Sequence, residues 1–234
     1  MFKLLSTANP KIQKGTKLGY LSFILHLAPA DLSGRETCPK RTAGCTAACL
    51  NTAGRGGMFR KGENTNMIQK ARIRKTQLFF ADRDAFMLDL YKDIQKAIRF
   101  AERKGLTPVF RLNGTSDLSW EKYTVGTTDM NLFQLFPTVQ FYDYTKVLGR
   151  KVKHLTNYHL TFSKADGNDS DVAEALFQGM SVVAVYDKIP AGVPSADETD
   201  LRFLDPKGVM LGLKAKGRAK KDYSGFVIRV AEAA

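Results

Sequence analysis

The sequence predicts an α/β protein whose parallel sheet of about six strands forms a partial or complete (β/α) barrel, with an open doubly wound sheet as the alternative. Three observations support this fold class. Short apolar segments alternate with helical segments from residue 107 onward, as in βαβ units. A long amphipathic segment ends at Gly105, and glycine commonly terminates helices. Polar residues follow the predicted strands, where α/β folds bind ligands. Residues 1–234 are expected to form a single domain.

The predicted elements follow in chain order. The first strand covers residues 19–28, a short apolar run closed by Pro29. Two helices come next, over residues 65–80 and 84–104, and Asp82 or Asp84 is a candidate cap for the second. Further strands are predicted over residues 107–112, 139–143, 159–162, 181–186 and 209–213, with short helices at 131–136, 146–150 and 171–178.

The three cysteines of the chain, Cys38, Cys45 and Cys49, lie within twelve residues directly after the first predicted strand. A small odd group of this kind is a poor disulfide framework but a plausible set of thiolate ligands in a reducing cytoplasm. Three thiolates can hold a four-iron cluster and leave one iron open. Zinc would need a fourth ligand, for which His26 is the nearest candidate. The third interpretation is that the cysteines bind no metal and pack as small buried residues.

Polar side chains follow five of the predicted strands. After the cysteine loop come residues 113–117, 142–146, 163–164 and 186–187. Turn chemistry explains the Asn-Gly pair at 113–114, but bulky Tyr142 and Lys146 have no turn preference. Because the carboxyl ends of parallel strands meet at one edge of a sheet, these side chains are expected to form a site together with the cysteines.

The formal charge of +13 and the pI near 9.7 favour a polyanionic partner, by default nucleic acid or a nucleotide. A solvated basic surface is the alternative. No apolar run is long enough to span a membrane, so no membrane partner is expected, and the oligomeric state is left open. The candidate phosphate contacts lie in two basic segments and comprise Arg55, Lys75, Lys214, Lys216 and Arg218.

Several motifs are distinctive when taken together. They are NPK at 9–11, KLGY at 17–20, CLNTAGRGG at 49–57, RLNGTSD at 111–117, FYDYTK at 141–146, YHLTFS at 158–163 and FLDP at 203–206. They resemble a family of bacteriophage and plasmid proteins named after a mycobacteriophage gene product, number eighty-eight. The resemblance implies a mobile-element setting, and therefore the cytoplasm of an infected or plasmid-bearing bacterial host.

More loosely, the order of strand, three-cysteine loop, helix and further βα units is similar to that of radical S-adenosylmethionine enzymes. In that family the three cysteines hold a four-iron, four-sulfur cluster, and the cofactor binds the open iron. The resemblance implies that Cys38, Cys45 and Cys49 are cluster ligands and that Asn113, Ser116 and Ser163 contact S-adenosylmethionine. The family's cysteines are separated by three and then two residues, whereas six and then three separate them here.

Three hypotheses of function follow. The leading one is a phage-type iron–sulfur protein, similar to radical S-adenosylmethionine enzymes, that acts on nucleic acid or a nucleotide. Its substrate contacts would be Asp117, Tyr142, Asp143 and Lys146. The second is a non-catalytic DNA- or RNA-binding accessory protein. The third is a hydrolase or transferase that uses Asp117 and Asp143 without metal–thiolate chemistry.

Overall fold

The computed structural model describes residues 3–7 and 14–230, so the motif at 9–11 lies outside the described residues. Its strands are β1 (Leu5–Ser6), β2 (Tyr20–Leu25), β3 (Thr107–Arg111), β4 (Gln140–Thr145), β5 (Tyr158–Ser163), β6 (Val182–Tyr186), β7 (Met210–Lys214) and β8 (Val227–Ile228). All belong to one sheet. The six strands predicted from sequence correspond to β2 through β7.

Strands β2 to β7 lie side by side in chain order and are parallel. β1 pairs antiparallel with β2, and β8 pairs parallel with the end of β6. The mixed α/β class and the mostly parallel open sheet are therefore confirmed. The sheet lacks the reversal of strand order that defines a doubly wound sheet.

A complete barrel is not confirmed, because other segments occupy the two sheet edges that would have to meet. On β2, the partners are Leu5 and Ser6 of β1. On β7, Gly212 donates its N–H to Pro194 O at 2.9 Å and accepts the N–H of Ala196 at 2.8 Å. The backbone groups needed for closure are thus already bonded.

The described α-helices are α1 (Ala43–Ala47), α2 (Met67–Ala81), α3 (Arg83–Glu102), α4 (Leu132–Leu135) and α5 (Asp169–Phe177). The long helix α3 begins where the Asp82 carboxylate accepts the N–H of Ala85 at 2.9 Å, as capping requires. It ends before Gly105, whose φ of +65° favours glycine. No helix of the described residues is both long enough and apolar enough to cross a membrane.

The short helix predicted at residues 146–150 is wrong, since the β4–β5 connection contains only turns and bends. The N–H of Lys146 bonds to the Asp117 carboxylate at 2.8 Å, and the N–H of Val147 bonds to the Thr145 hydroxyl at 3.0 Å. Gly149 then turns with φ of +70°. These local bonds compete with helix formation.

Helices cover one face of the sheet, and residues of the β6–β7 connection pack on the other. Helices α2 and α3 pack on one face, over apolar side chains such as Phe23 and Phe110. On the other face Leu201, in the β6–β7 connection, packs against Val109 and Tyr142. Because both faces are filled, a ligand site at this sheet has to lie at its rim.

Candidate functional site

The cysteine loop occupies the carboxyl end of β2 and carries each sulfur on a different local structure. Cys38 lies in a turn, Cys45 lies within α1, and Cys49 caps the 3₁₀ turn Leu50–Thr52. The Thr42 hydroxyl accepts the N–H of Cys45 at 3.1 Å, which starts α1. All three cysteines are half-buried free thiols.

A carboxylate from the loop after β5 anchors the helix that carries Cys45. Asp166 accepts hydrogen bonds from the Thr42 hydroxyl and, at 3.1 Å, from the N–H of Gly44. A Cβ on Gly44 would overlap Ser224 Oγ and lie 2.6 Å from Asp166 Oδ1, so a larger residue there requires these side chains to move. Asp166 was not among the residues predicted from sequence, although it lies just beyond the polar residues at the end of that strand.

Backbone N–H groups point at two of the sulfurs. The N–H of Ala30 donates to Cys38 Sγ at 3.3 Å, and the N–H of Asn51 donates to Cys49 Sγ at 3.5 Å. Cys38 Sγ also lies 4.0 Å from the carbonyl oxygen of Thr115, in the loop after β3. Such N–H donors favour the negatively charged form of sulfur and tune iron–sulfur clusters.

The three thiols are close enough to influence one another's ionisation. Burial raises the pKa of Cys38, and burial raises the pKa of Cys49 to about 11. Negative charge on Cys45 raises the pKa of both further. At neutral pH Cys38 and Cys49 are therefore protonated in the metal-free protein, and a metal that binds there would displace their protons.

Lys146, at the end of β4, places a cation among these sulfurs. Burial by itself would lower the pKa of Lys146, yet the pKa is raised because the ionised forms of Cys45, Asp117 and Cys38 attract the ammonium. The ammonium also donates to the Ser163 hydroxyl at 3.3 Å. Two predicted site residues, Lys146 and Ser163, thus lie together with the cysteines at one rim.

Asp117 is the carboxylate of this rim and is only 8% exposed. Its Oδ2 accepts the N–H of Lys146 at 2.8 Å, and its own N–H donates to Thr37 O at 2.8 Å. Its Oδ1 is buried and has no hydrogen-bond partner among residues 3–7 and 14–230. A buried acceptor without a partner is costly, so it is suited to receive a ligand's donor.

Asn113 and Ser116, predicted as cofactor contacts, hold their own loop together. The side-chain oxygen of Asn113 accepts bonds from the Ser116 hydroxyl at 2.9 Å, from Leu118 N–H at 2.9 Å and from Trp120 Nε1 at 3.0 Å. This loop lies tightly against β2, since a Cβ on Gly114 would approach Leu25 O to 2.7 Å. The cofactor role of Asn113 and Ser116 stays a prediction.

Tyr142 and Asp143 lie within β4 and point to opposite faces of the sheet, as successive strand residues do. The Tyr142 hydroxyl donates to Ser22 Oγ at 3.2 Å in the core opposite the helices. Asp143 accepts the N–H of Asn113 at 2.7 Å and the hydroxyl of Tyr158 at 2.9 Å. Both side chains are fully buried, and their contacts with a substrate stay predictions.

The turn after β7, which carries the second basic segment, lies against residues 52–53 at the end of the cysteine loop, just before Arg55. A Cβ on Gly217, in the turn after β7, would lie 3.0 Å from Thr52 O and 3.1 Å from Ala53 Cα. The adjoining side chains Ala48, Ala215 and Ala219 form a small apolar cluster. The sequence separates these segments by more than a hundred and fifty residues, so their contact was not predictable from spacing.

The five side chains predicted to contact phosphate differ in their exposure and in the partners they already have. Arg55, Lys214 and Arg218 are exposed. Lys216 pairs with Asp197, and Lys75 donates to Leu4 O at 3.0 Å. Burial lowers the pKa of Lys75 to about 8, with nearby arginines adding to this effect. Arg55, Lys214 and Arg218 are thus the better placed of the five.

The donor set can be compared with the metals that were predicted. Thiolates with N–H donors and a neighbouring cation suit an iron–sulfur cluster. In the part of the chain that the structure describes, no three His, Cys, Asp or Glu residues are arranged to hold one metal ion. This finding supports neither metal, and both the zinc site and the iron–sulfur cluster stay predictions.

Fold and site together define an α/β protein with an open, mostly parallel sheet and a group of thiols beside a half-buried lysine at one rim. The chain matches the family described as Gene product 88 over residues 3–230, and it belongs to that family. No curated protein and no solved structure gives a significant match. The similarity to radical S-adenosylmethionine enzymes therefore rests on the order of motifs alone.

Proposed function

We propose that this member of the Gene product 88 family is an iron–sulfur protein whose cluster is held by Cys38, Cys45 and Cys49. When bound, such a cluster would supply an open iron able to bind a small ligand or accept an electron. The observation that carries the proposal is the position of the half-buried Lys146 beside Cys45, Asp117 and Cys38, whose ionised forms raise the pKa of its ammonium against the effect of burial. Burial alone favours the neutral amine, so the raised pKa supports a rim that accommodates negative charge beside this lysine.

The other residues of the rim would bind and orient the ligand. The Asp117 Oδ1 atom can accept a hydrogen bond from the ligand, because it lacks a partner among the described residues. The Lys146 ammonium and the Ser163 hydroxyl can donate to an anionic group. Exposed Arg55, Lys214 and Arg218 beside the cysteine loop support a nucleic acid or nucleotide as substrate.

The test is anaerobic purification followed by iron and acid-labile sulfide analysis. We expect about four irons and four sulfides per chain in the wild-type protein, and loss of most of both when any one cysteine is replaced by serine. The variant Ala47→Ser is the control, because it alters an exposed residue of the same helix and leaves all sulfurs in place. A colourless wild-type protein that takes up no iron after anaerobic reconstitution would exclude the proposal.

A second candidate is a non-catalytic nucleic-acid-binding protein. The observation that favours it is the close approach of Gly217, in the second basic segment, to Ala53, which lies two residues before the exposed Arg55. The triple variant with all three cysteines changed to serine separates the two functions. The second candidate is supported if two results are found together. The wild type contains no iron, and the folded triple variant still binds DNA or RNA with an affinity that falls as salt rises.

A further inference from the structure

A cleft of about 860 Å³ lies at the amino-terminal ends of β5 and β6, whereas the cysteines follow the carboxyl end of β2. Its walls are the β4–β5 connection, the first residues of β5 and the turn that follows α5. It forms because the β4–β5 connection supplies no helix beside β5. Its volume is within the range of small-ligand sites.

The cleft is strongly basic. It is lined by Arg150, Lys151, Lys153 and Lys207, together with His154 and His159, and no aspartate or glutamate is among its lining residues. Arg150 is neutralised by an ion pair with Glu121. Within residues 3–7 and 14–230, the three lysines form no ion pair, so their positive charge is uncompensated.

Two buried nitrogen atoms of the lining residues also lack partners. The Arg150 side chain is 3% exposed and donates to Glu121 and to the Tyr158 hydroxyl, but its Nη1 has no acceptor in the described structure. His159 Nε2 is likewise buried without a hydrogen-bond partner there. Burial and the charges of Lys207 and Arg202 lower the pKa of His159 to about 4, so its ring is neutral at pH 7. A neutral imidazole can still donate one N–H.

The geometry points to a phosphate-binding site in this cleft, separate from the cysteine site, where His159 Nε2 donates to a phosphate oxygen and Lys151, Lys153 and Lys207 balance the charge. Arg150 is not assigned to the same phosphate, because it contacts Tyr158, whose side chain points to the opposite face of β5 from His159. Phosphate suits this set because it offers several acceptor oxygens and one or two negative charges. The phosphate can belong to a free nucleotide or to a nucleic-acid strand. The site does not depend on the presence of a cluster.

The binding test uses two probes on the full chain, adenosine 5′-monophosphate by calorimetry and a short fluorescein-labelled DNA strand by anisotropy. The test variants are Lys151→Gln with Lys153→Gln, and separately Lys207→Gln. The control Lys92→Gln with Lys96→Gln removes equal charge from exposed positions on α3. We expect both test variants to weaken binding, the double variant by about tenfold or more, and the control to bind like wild type.

The two probes identify the source of the phosphate. Loss of binding for both probes supports a site for any phosphate ester, and loss for the DNA strand alone supports a strand-specific site. The proposal is overturned if neither probe binds wild type, or if the cleft variants lose no more affinity than the control.

NMR spectra of the histidine rings test the position of the bound probe independently, because the chain has only three histidines. His154 and His159 line the cleft, whereas His26 lies against the loop at Gly114. Titration with adenosine 5′-monophosphate is expected to shift the ring nitrogen resonances of His154 and His159 and to leave those of His26 in place. Shifts confined to His26 would move the binding to the cysteine rim and contradict the cleft site.

Discussion

Asp143 and Lys146 are close in sequence, yet their side chains have opposite chemical surroundings. Lys146 lies among anionic groups at the rim, whereas Asp143 is buried in the sheet with Tyr158 and the N–H of Asn113 as partners. Burial raises the pKa of Asp143 to about 7 from an ordinary value of 3.8, although its hydrogen bonds and nearby arginines oppose the rise. Asp143 therefore couples folding to pH.

This coupling has a definite sign. The folded chain keeps a proton on Asp143 that the unfolded chain releases between about pH 4 and pH 7, so stability falls as pH rises through that window and then levels off. Between about pH 5 and pH 8, wild type should lose up to about 3 kcal/mol more than Asp143→Asn. Chemical denaturation of both proteins at several pH values measures the difference. Parallel pH profiles would show that Asp143 is ionised in the fold.

At the scale of elements, helix α1 positions Cys45 through contacts made by the loop after β5. Gly44 lies against Asp166 so closely that a methyl group cannot be accommodated without displacing the capping carboxylate. Gly44→Ala should therefore destabilise the protein by about 1–3 kcal/mol and reduce its iron content. Thermal unfolding and iron analysis check the two effects.

The exposed change Ala47→Ser on α1 is the matched control, and it should alter Tm little and iron content not at all. Full iron loading in Gly44→Ala, together with an unchanged Tm, would show that α1 tolerates a shift of Asp166. If Gly44→Ala lowers Tm but still binds iron fully, the stability of the protein and the binding of iron do not depend on the same contact.

The elements also show which parts of the fold are predictable from sequence. The strands β2 and β6 are mostly apolar and largely buried, so local composition identifies them. The two-residue strands β1 and β8 have no such pattern. Residues 146–150 contain good helix formers, but the tertiary bond from Lys146 to Asp117 and the turn at Gly149 prevent the helix.

For the whole molecule, the sequence predicts the parallel sheet but not how its edges are used. Closure fails because Gly212 bonds to Pro194 and Ala196, partners from a connection without strand patterning. The same limit applies to the site. The structure places Asp117, Lys146 and Ser163, three polar residues predicted at strand ends, at the same rim as the cysteines, and their roles stay predictions. Asp143 was placed with them because the predicted strand ended there, whereas β4 continues to Thr145.

The central claim is that the three sulfurs and the Lys146 ammonium surround one iron–sulfur cluster. Anomalous diffraction at the iron edge, from crystals grown anaerobically, tests it most directly. The account predicts one compact iron peak bonded to Cys38, Cys45 and Cys49 and adjacent to Lys146. Ordered but metal-free thiols in crystals of reconstituted protein, or iron bound elsewhere in the chain, would contradict it.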